Sequence, residues 1–157
     1  MNGHDLHVKM CEVRTGSGRQ VLRTTLGSCV GIGLLWRGRD LCALAHCLLP
    51  ESSARSTAPS AKYVTDALPS LLQLMGASRA DHAQLEAVIA GGACMVQPVR
   101  PAPYGLIGEQ NTQMATRLLT EAGIRVIHVD TGGTSGRQLS IDCHSQQFAV
   151  RTFERSH

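Results

Sequence analysis

Cys29 and His46 are the two residues whose types and spacing combine most directly into a reaction centre. A thiol beside an imidazole is a nucleophile beside its base, the pair that covalent catalysis through a thioester requires. Both lie in the stretch from Thr24 to Pro50, TTLGSCVGIGLLWRGRDLCALAHCLLP. Val30 to Trp36 is a short apolar run bounded by turn signals and reads as a buried strand. Leu41 to Leu49 is a second apolar run, stopped by Pro50, which cannot donate to a ladder. The polar break Arg37-Gly38-Arg39-Asp40 makes the two runs an antiparallel hairpin.

Two registers of that hairpin are open. A two-residue loop places Cys29 directly opposite His46, with Cα atoms about 4.5–5.5 Å apart. A four-residue loop, Arg37 to Asp40, places His46 opposite Gly31. Side chains alternate with a period of two, so Cys29 and His46 share a face in either register. Upstream, Gly27 permits a sharp turn, and the amides of Ser28 and Cys29 are candidates to face an oxyanion beside the sulfur. His46 is expected to draw the thiol pKa down from about 8.5 toward neutrality. The plainer alternative is a buried cysteine acting as a small hydrophobe, with an unrelated histidine nearby.

The elements around the hairpin bound the fold. The chain has 157 residues, enough for one domain with a substantial core, and it is read as a single domain over residues 1–157. Aromatic residues make up only 3%, so the core is aliphatic and no base-stacking platform is present. The net charge of +3 is spread along the chain, which argues against a nucleic-acid partner. No apolar segment opens the chain and no run reaches the ~20 residues of a membrane span. The expectation is a cytoplasmic protein without membrane insertion, its six cysteines being free thiols in a reducing compartment.

Residues 1–18 read as a loose terminus with a weak edge strand across Leu6 to Val13. Ala61 to Met75 is helical, with Val64, Ala67, Leu68, Leu71, Leu72 and Met75 on one face, Gly76 at its end and Pro69 as a kink site. Leu85 to Ala90 is a short strand followed by Gly91-Gly92-Ala93, a pair of glycines suited to close backbone approach. Gln97 to Tyr104 holds three prolines and reads as a surface excursion. A second helix opens at Ile107 with Met114, Leu118, Leu119 and Ala122 inward, and Asn111 is either its N-cap or a substrate contact. Strands follow at Ile124 to Val129, Arg137 to Ile141 and Phe148 to Phe153, with Asp130 and Arg137 pinning a turn. The fold class is α/β (α+β): a layered sandwich with mixed, largely antiparallel sheets and two main helices.

Four blocks, in order, resemble the CheD family of chemoreceptor glutamine deamidases. They are Leu26-Gly27-Ser28-Cys29-Val30-Gly31; Ala45-His46-Cys47-Leu48-Leu49-Pro50; Gly91-Gly92-Ala93 and Met95 with Ile107-Gly108 and Asn111; and Asp130-Thr131-Gly132-Gly133 with Arg137. Lys62-Tyr63 fits a shorter motif. The resemblance implies a three-layer α/β/α-type sandwich related to deamidating bacterial toxins. It implies hydrolysis of receptor glutamines to glutamate, and methylester hydrolysis in some members. It matches Cys29 to the family's nucleophile, His46 to its base and Thr24 to its third, orienting residue. The family's threonine lies shortly before the cysteine; here Arg23 stands six before it and Thr24 and Thr25 five and four before, so Thr24, Thr25 or neither completes the set. Gly27, Ser28, Gly91 and Gly92 are expected to shape the site. No cofactor is implied. The implied partners are the cytoplasmic domain of a methyl-accepting chemoreceptor and a CheC-type phosphatase.

Three rival readings remain. Gly27-Ser28-Cys29-Val30-Gly31 has the form of a nucleophile elbow, although the chain is short for that fold. Cys29, Cys42 and His46 are a possible metal trio, yet Cys42 and His46 stand about 13 Å apart along a strand. An adaptor with a weakened site, binding chemoreceptors or a CheC-type phosphatase, is the non-enzymatic alternative.

Overall fold

The computed structural model describes residues 4–52, 54, 58–94 and 106–153. The short strands β1 (Asp5–His7) and β2 (Val13–Ser17) come first, followed by β3 (Val21–Leu26), β4 (Val30–Trp36) and β5 (Leu41–Cys47). Helix α1 (Val64–Met75) and a 3₁₀ segment (Arg79–Gln84) lead to β6 (Glu86–Gly91). Helix α2 (Ile107–Glu121) is followed by β7 (Arg125–Thr131), β8 (Gly136–Asp142) and β9 (Gln147–Phe153). The proline-rich excursion at 97–104, Met95 and part of the 51–60 loop lie outside the described residues.

Every residue of β4 is buried, because β4 is covered on both faces and paired on both edges. It lies between β5 and β6 in a five-stranded sheet ordered β2-β5-β4-β6-β7. A continuous apolar run rather than an alternating one is the sequence signature of such a strand. Val30, Ile32, Leu34 and Trp36 pack with Val64, Leu68 and Leu71 of α1 and Ala115 and Leu119 of α2. The opposite face of this sheet, including Leu35, Cys42, Leu44, Val88 and Ala90, packs on Leu22, Leu26, Leu139 and Ile141 of the second sheet. That second sheet has four strands, ordered β1-β3-β8-β9. The sheets meet closely at Gly33, where a Cβ would stand 2.5 Å from the end of the Ile141 side chain and force it to shift.

The observed fold is α+β, largely antiparallel, with two main helices, as the pattern predicts. The layer order differs from the implied α/β/α arrangement. Both helices cover one face of the five-stranded sheet and the second sheet covers the other, giving α/β/β. The physical reason lies in the strands β3, β8 and β9, which supply an apolar face that needs a sheet partner.

Within residues 4–18, two short strands stand where a loose terminus was expected. β1 pairs in parallel with β3, and β2 pairs with β5 over Val13↔Ala45 to Ser17↔Leu41. Pro69 sits inside α1 without ending it, and Gly76 closes the helix at φ +68° as expected. No helix among the described residues is long and apolar enough to cross a membrane.

The thiol expectation is also corrected. Cys42 of β5 and Cys143, just past β8, form a disulfide that joins the two sheets. Cys11, Cys29 and Cys47 are free thiols.

Candidate active site

The site is built where the chain changes sheets. β3 belongs to the four-stranded sheet and β4 to the five-stranded one, so the Gly27–Cys29 turn between them crosses the sandwich. Residues just before the turn and residues on β5 therefore meet across the sheet interface.

The hairpin takes the four-residue register. Trp36 pairs with Leu41 and Gly31 with His46. Cys29 precedes Gly31 by two positions, and it packs with Leu44 and Cys42 on the face turned to the second sheet. His46 is in phase with Leu44 and Cys42 and faces the same way. Cys29 and His46 are each 6% exposed and so nearly buried.

Of the two threonines before the turn, Thr24 is the one that meets His46. The β3–β8 register is unbroken from Val21↔Asp142 to Leu26↔Arg137, so no bulge is needed. Thr24 alternates inward with Leu22 and Leu26 and is fully buried, while Thr25 is exposed. Thr24 Oγ1 lies 2.7 Å from His46 Nδ1 and donates to the Val8 carbonyl at 2.7 Å. A hydroxyl has one proton. Since Thr24 gives that proton to Val8, it must accept from His46, which places the imidazole proton on Nδ1. His46 Nε2 is then an unprotonated acceptor.

Burial sets the electrostatics. Desolvation pushes the Cys29 thiol pKa up, and the Cys11 thiol nearby adds to it. Desolvation lowers the His46 pKa, with a smaller contribution from His7. The expected depression of the thiol pKa is therefore overturned. Burial thus disfavours both charged forms, the thiolate and the imidazolium.

The predicted glycines converge on the nucleophile turn. The Gly92 amide donates to the Cys29 carbonyl at 2.9 Å, and the Ala93 amide donates to the Gly27 carbonyl at 3.0 Å. Gly91 has φ +104°, and a Cβ there would collide with the Cys29 carbonyl. Gly27 itself has no positive φ. Its part is to present a carbonyl to Ala93 rather than to adopt a glycine-only turn. The amides of Gly27, Ser28 and Cys29 donate to no described residue.

Arg137 and Asp130 pin a turn as predicted, through Arg137 Nε donating to Asp130 Oδ1 at 2.8 Å. The sequence reading missed that the same guanidinium donates to the Gly91 carbonyl at 3.3 Å. It also missed the Val8 carbonyl, for which no side chain could have given a signal. Asn111 is not an N-cap, since Leu106 holds that position. The elbow reading fails because the turn joins two strands, and the metal trio fails because Cys42 is held in the disulfide.

Comparison with known proteins shows the family. A family model described as CheD chemotactic sensory transduction matches residues 48–152. A protein of Ruegeria sp. (strain TM1040), named "Probable chemoreceptor glutamine deamidase CheD 2", is 37% identical over 167 residues, covering 96% of this chain and 93% of that one. A Bdellovibrio bacteriovorus protein named "Probable chemoreceptor glutamine deamidase CheD" is 37% identical over 135 residues, 86% of each chain. One of the same name from Methanococcus vannielii is 34% identical, covering 93% of this chain and 94% of that one. The match over most of the length of these relatives establishes that the chain belongs to the CheD family.

Proposed function

We propose that this chain is a chemoreceptor glutamine deamidase, with Cys29 as nucleophile, His46 as general base and acid, and Thr24 orienting the imidazole. The relatives it matches over most of their length carry that activity in their names. The observation that carries the residue assignment is the chain from the Val8 carbonyl through Thr24 to His46 Nδ1, both links 2.7 Å long. It leaves Nε2 as a base on the face to which Cys29 is turned.

In this mechanism, His46 Nε2 takes the Cys29 proton as Sγ attacks the carbon of the glutamine carboxamide. The carbonyl π electrons move to oxygen, and the free amides of Ser28 and Cys29 receive the oxyanion. Collapse of the tetrahedral adduct breaks the C–N bond, and Nε2–H protonates the departing ammonia. Water, deprotonated by Nε2, then attacks the thioester. Glutamate leaves and Sγ regains its proton. A methyl ester would follow the same path with methanol leaving.

The test is mass spectrometry of a chemoreceptor cytoplasmic fragment incubated with the protein and with its Cys29→Ala variant. A gain of about one dalton at defined glutamines, absent with the variant, is expected as NH₂ is exchanged for OH. Full activity in the variant would exclude Cys29.

A second reading, an adaptor that binds chemoreceptors or a CheC-type phosphatase without turnover, is favoured by one observation, the burial that raises the Cys29 thiol. No mass change on receptor fragments with folded wild-type protein would select it.

A further inference from the structure

Asn111 is fully buried on the first half of α2. Its Nδ2 donates to two carbonyls, Ser28 at 3.3 Å and Leu48 at 3.1 Å. Its Oδ1 is buried with no partner. An orphaned acceptor is unfavourable, but turning the amide over would set Oδ1 against two carbonyl oxygens and leave both without a donor. The orientation is thus dictated by Ser28 and Leu48. These carbonyls belong to the two chains that diverge just beyond the last β4–β5 pair, Val30↔Cys47. One side-chain amide gathers both.

The consequence for the nucleophile follows from peptide geometry. The Ser28–Cys29 peptide is planar and trans, as are all the described peptides. In a trans peptide the C=O and N–H point in opposite directions. With the Ser28 carbonyl held toward α2, the Cys29 N–H points away from α2. The Cys29 side chain also turns away from the helices, toward the second sheet. That amide donates to no described residue.

We infer that Asn111 is a positioning residue for the oxyanion: by anchoring the Ser28 carbonyl, it aims the Cys29 amide at the oxygen of the tetrahedral adduct. The inference rests on the thioester mechanism proposed above. It assigns Asn111 no contact with substrate. Its effect belongs to the transition state, where the carbonyl oxygen gains charge, and not to binding or to thiol activation.

The test uses the whole chain with Asn111→Leu, which keeps about the same volume but removes the donor, and with the smaller Asn111→Ala. On a receptor fragment, kcat is expected to fall about 10²–10³-fold, with KM changed by less than about threefold. Alkylation of Cys29 by iodoacetamide, a displacement at saturated carbon that forms no oxyanion, is expected to keep its wild-type rate. The thiohemiacetal formed between Cys29 and 1-¹³C-butyraldehyde, read by NMR, is expected to weaken in both variants. Unchanged kcat in a folded variant would overturn the inference, as would alkylation slowed as much as kcat. The aldehyde separates this inference from the deamidase reading. Wild-type protein that spares receptor glutamines yet forms an adduct weakened in both variants would sink the deamidase reading and support Asn111. An adduct unchanged in both variants would overturn Asn111.

Discussion

Thr24 Oγ1 and His46 Nδ1 stand 2.7 Å apart across the interface of two sheets, and the Val8 carbonyl on the far side of the hydroxyl decides which of them gives the proton. In the proposed mechanism a neutral threonine takes the orienting task for which many hydrolases use a carboxylate. It fixes the tautomer without adding charge. The imidazolium formed during reaction therefore gains no ion pair from it, which fits a histidine whose pKa is lowered rather than raised.

Replacing Thr24 with Val keeps the volume but removes the hydroxyl. Loss of one buried hydrogen bond, about 1–3 kcal/mol, is expected to lower kcat about 10- to 100-fold with little change in KM. Thr24→Ser is expected to recover most of the loss. Steady-state kinetics on a receptor fragment checks both, and equal activity in Thr24→Val would remove Thr24 from the reaction.

The pH profile follows from the two pKa directions. His46 must be unprotonated to act as base, and burial lowers its pKa. Activity is therefore present above that lowered value and is lost as pH falls through it. The acid limb of kcat/KM is expected below the ordinary histidine pKa of about 6.5. Burial raises the Cys29 thiol, so the midpoint for direct thiolate formation is expected above about 8.5. A pH titration of thiolate absorbance, wild type against Cys29→Ala, reads this directly. A full thiolate signal at pH 6 would reveal an ion pair and contradict the burial argument.

The Cys42–Cys143 disulfide closes a sequence separation of 101 residues and ties the two sheets together. Closing so long a loop stabilises a fold by about 2–4 kcal/mol. Denaturation with and without a reductant, alongside the Cys42→Ala/Cys143→Ala double variant, is the check. The reduced wild type and the double variant are both expected to unfold at lower denaturant concentration. Identical curves for oxidised and reduced wild type would show that the bridge contributes no stability.

Local chemistry made much of the site legible before any fold was known. Cys29 and His46 stand at fixed positions on two apolar runs, and a period of two keeps them on one face whichever loop forms. The glycines at 91 and 92 announced a close backbone approach, and Asp130 and Arg137 announced a pinned turn. The helices showed in their apolar stripes and in Gly76.

What the chain alone left open depended on contacts between distant segments. The hairpin register was settled by pairing on both edges of β4. The choice of Thr24 over Thr25 depended on which face of β3 meets the other sheet, and the tautomer of His46 on a backbone carbonyl from residue 8. The thiol pKa is shifted opposite to expectation because burial and the Cys11 thiol both raise it. The α/β/β layering and the pairing of Cys42 with Cys143 arise only when the sheets stack. Sequence carries residue type and periodicity. The partners, burial and proton positions come from packing, which brings together atoms that no spacing along the chain records.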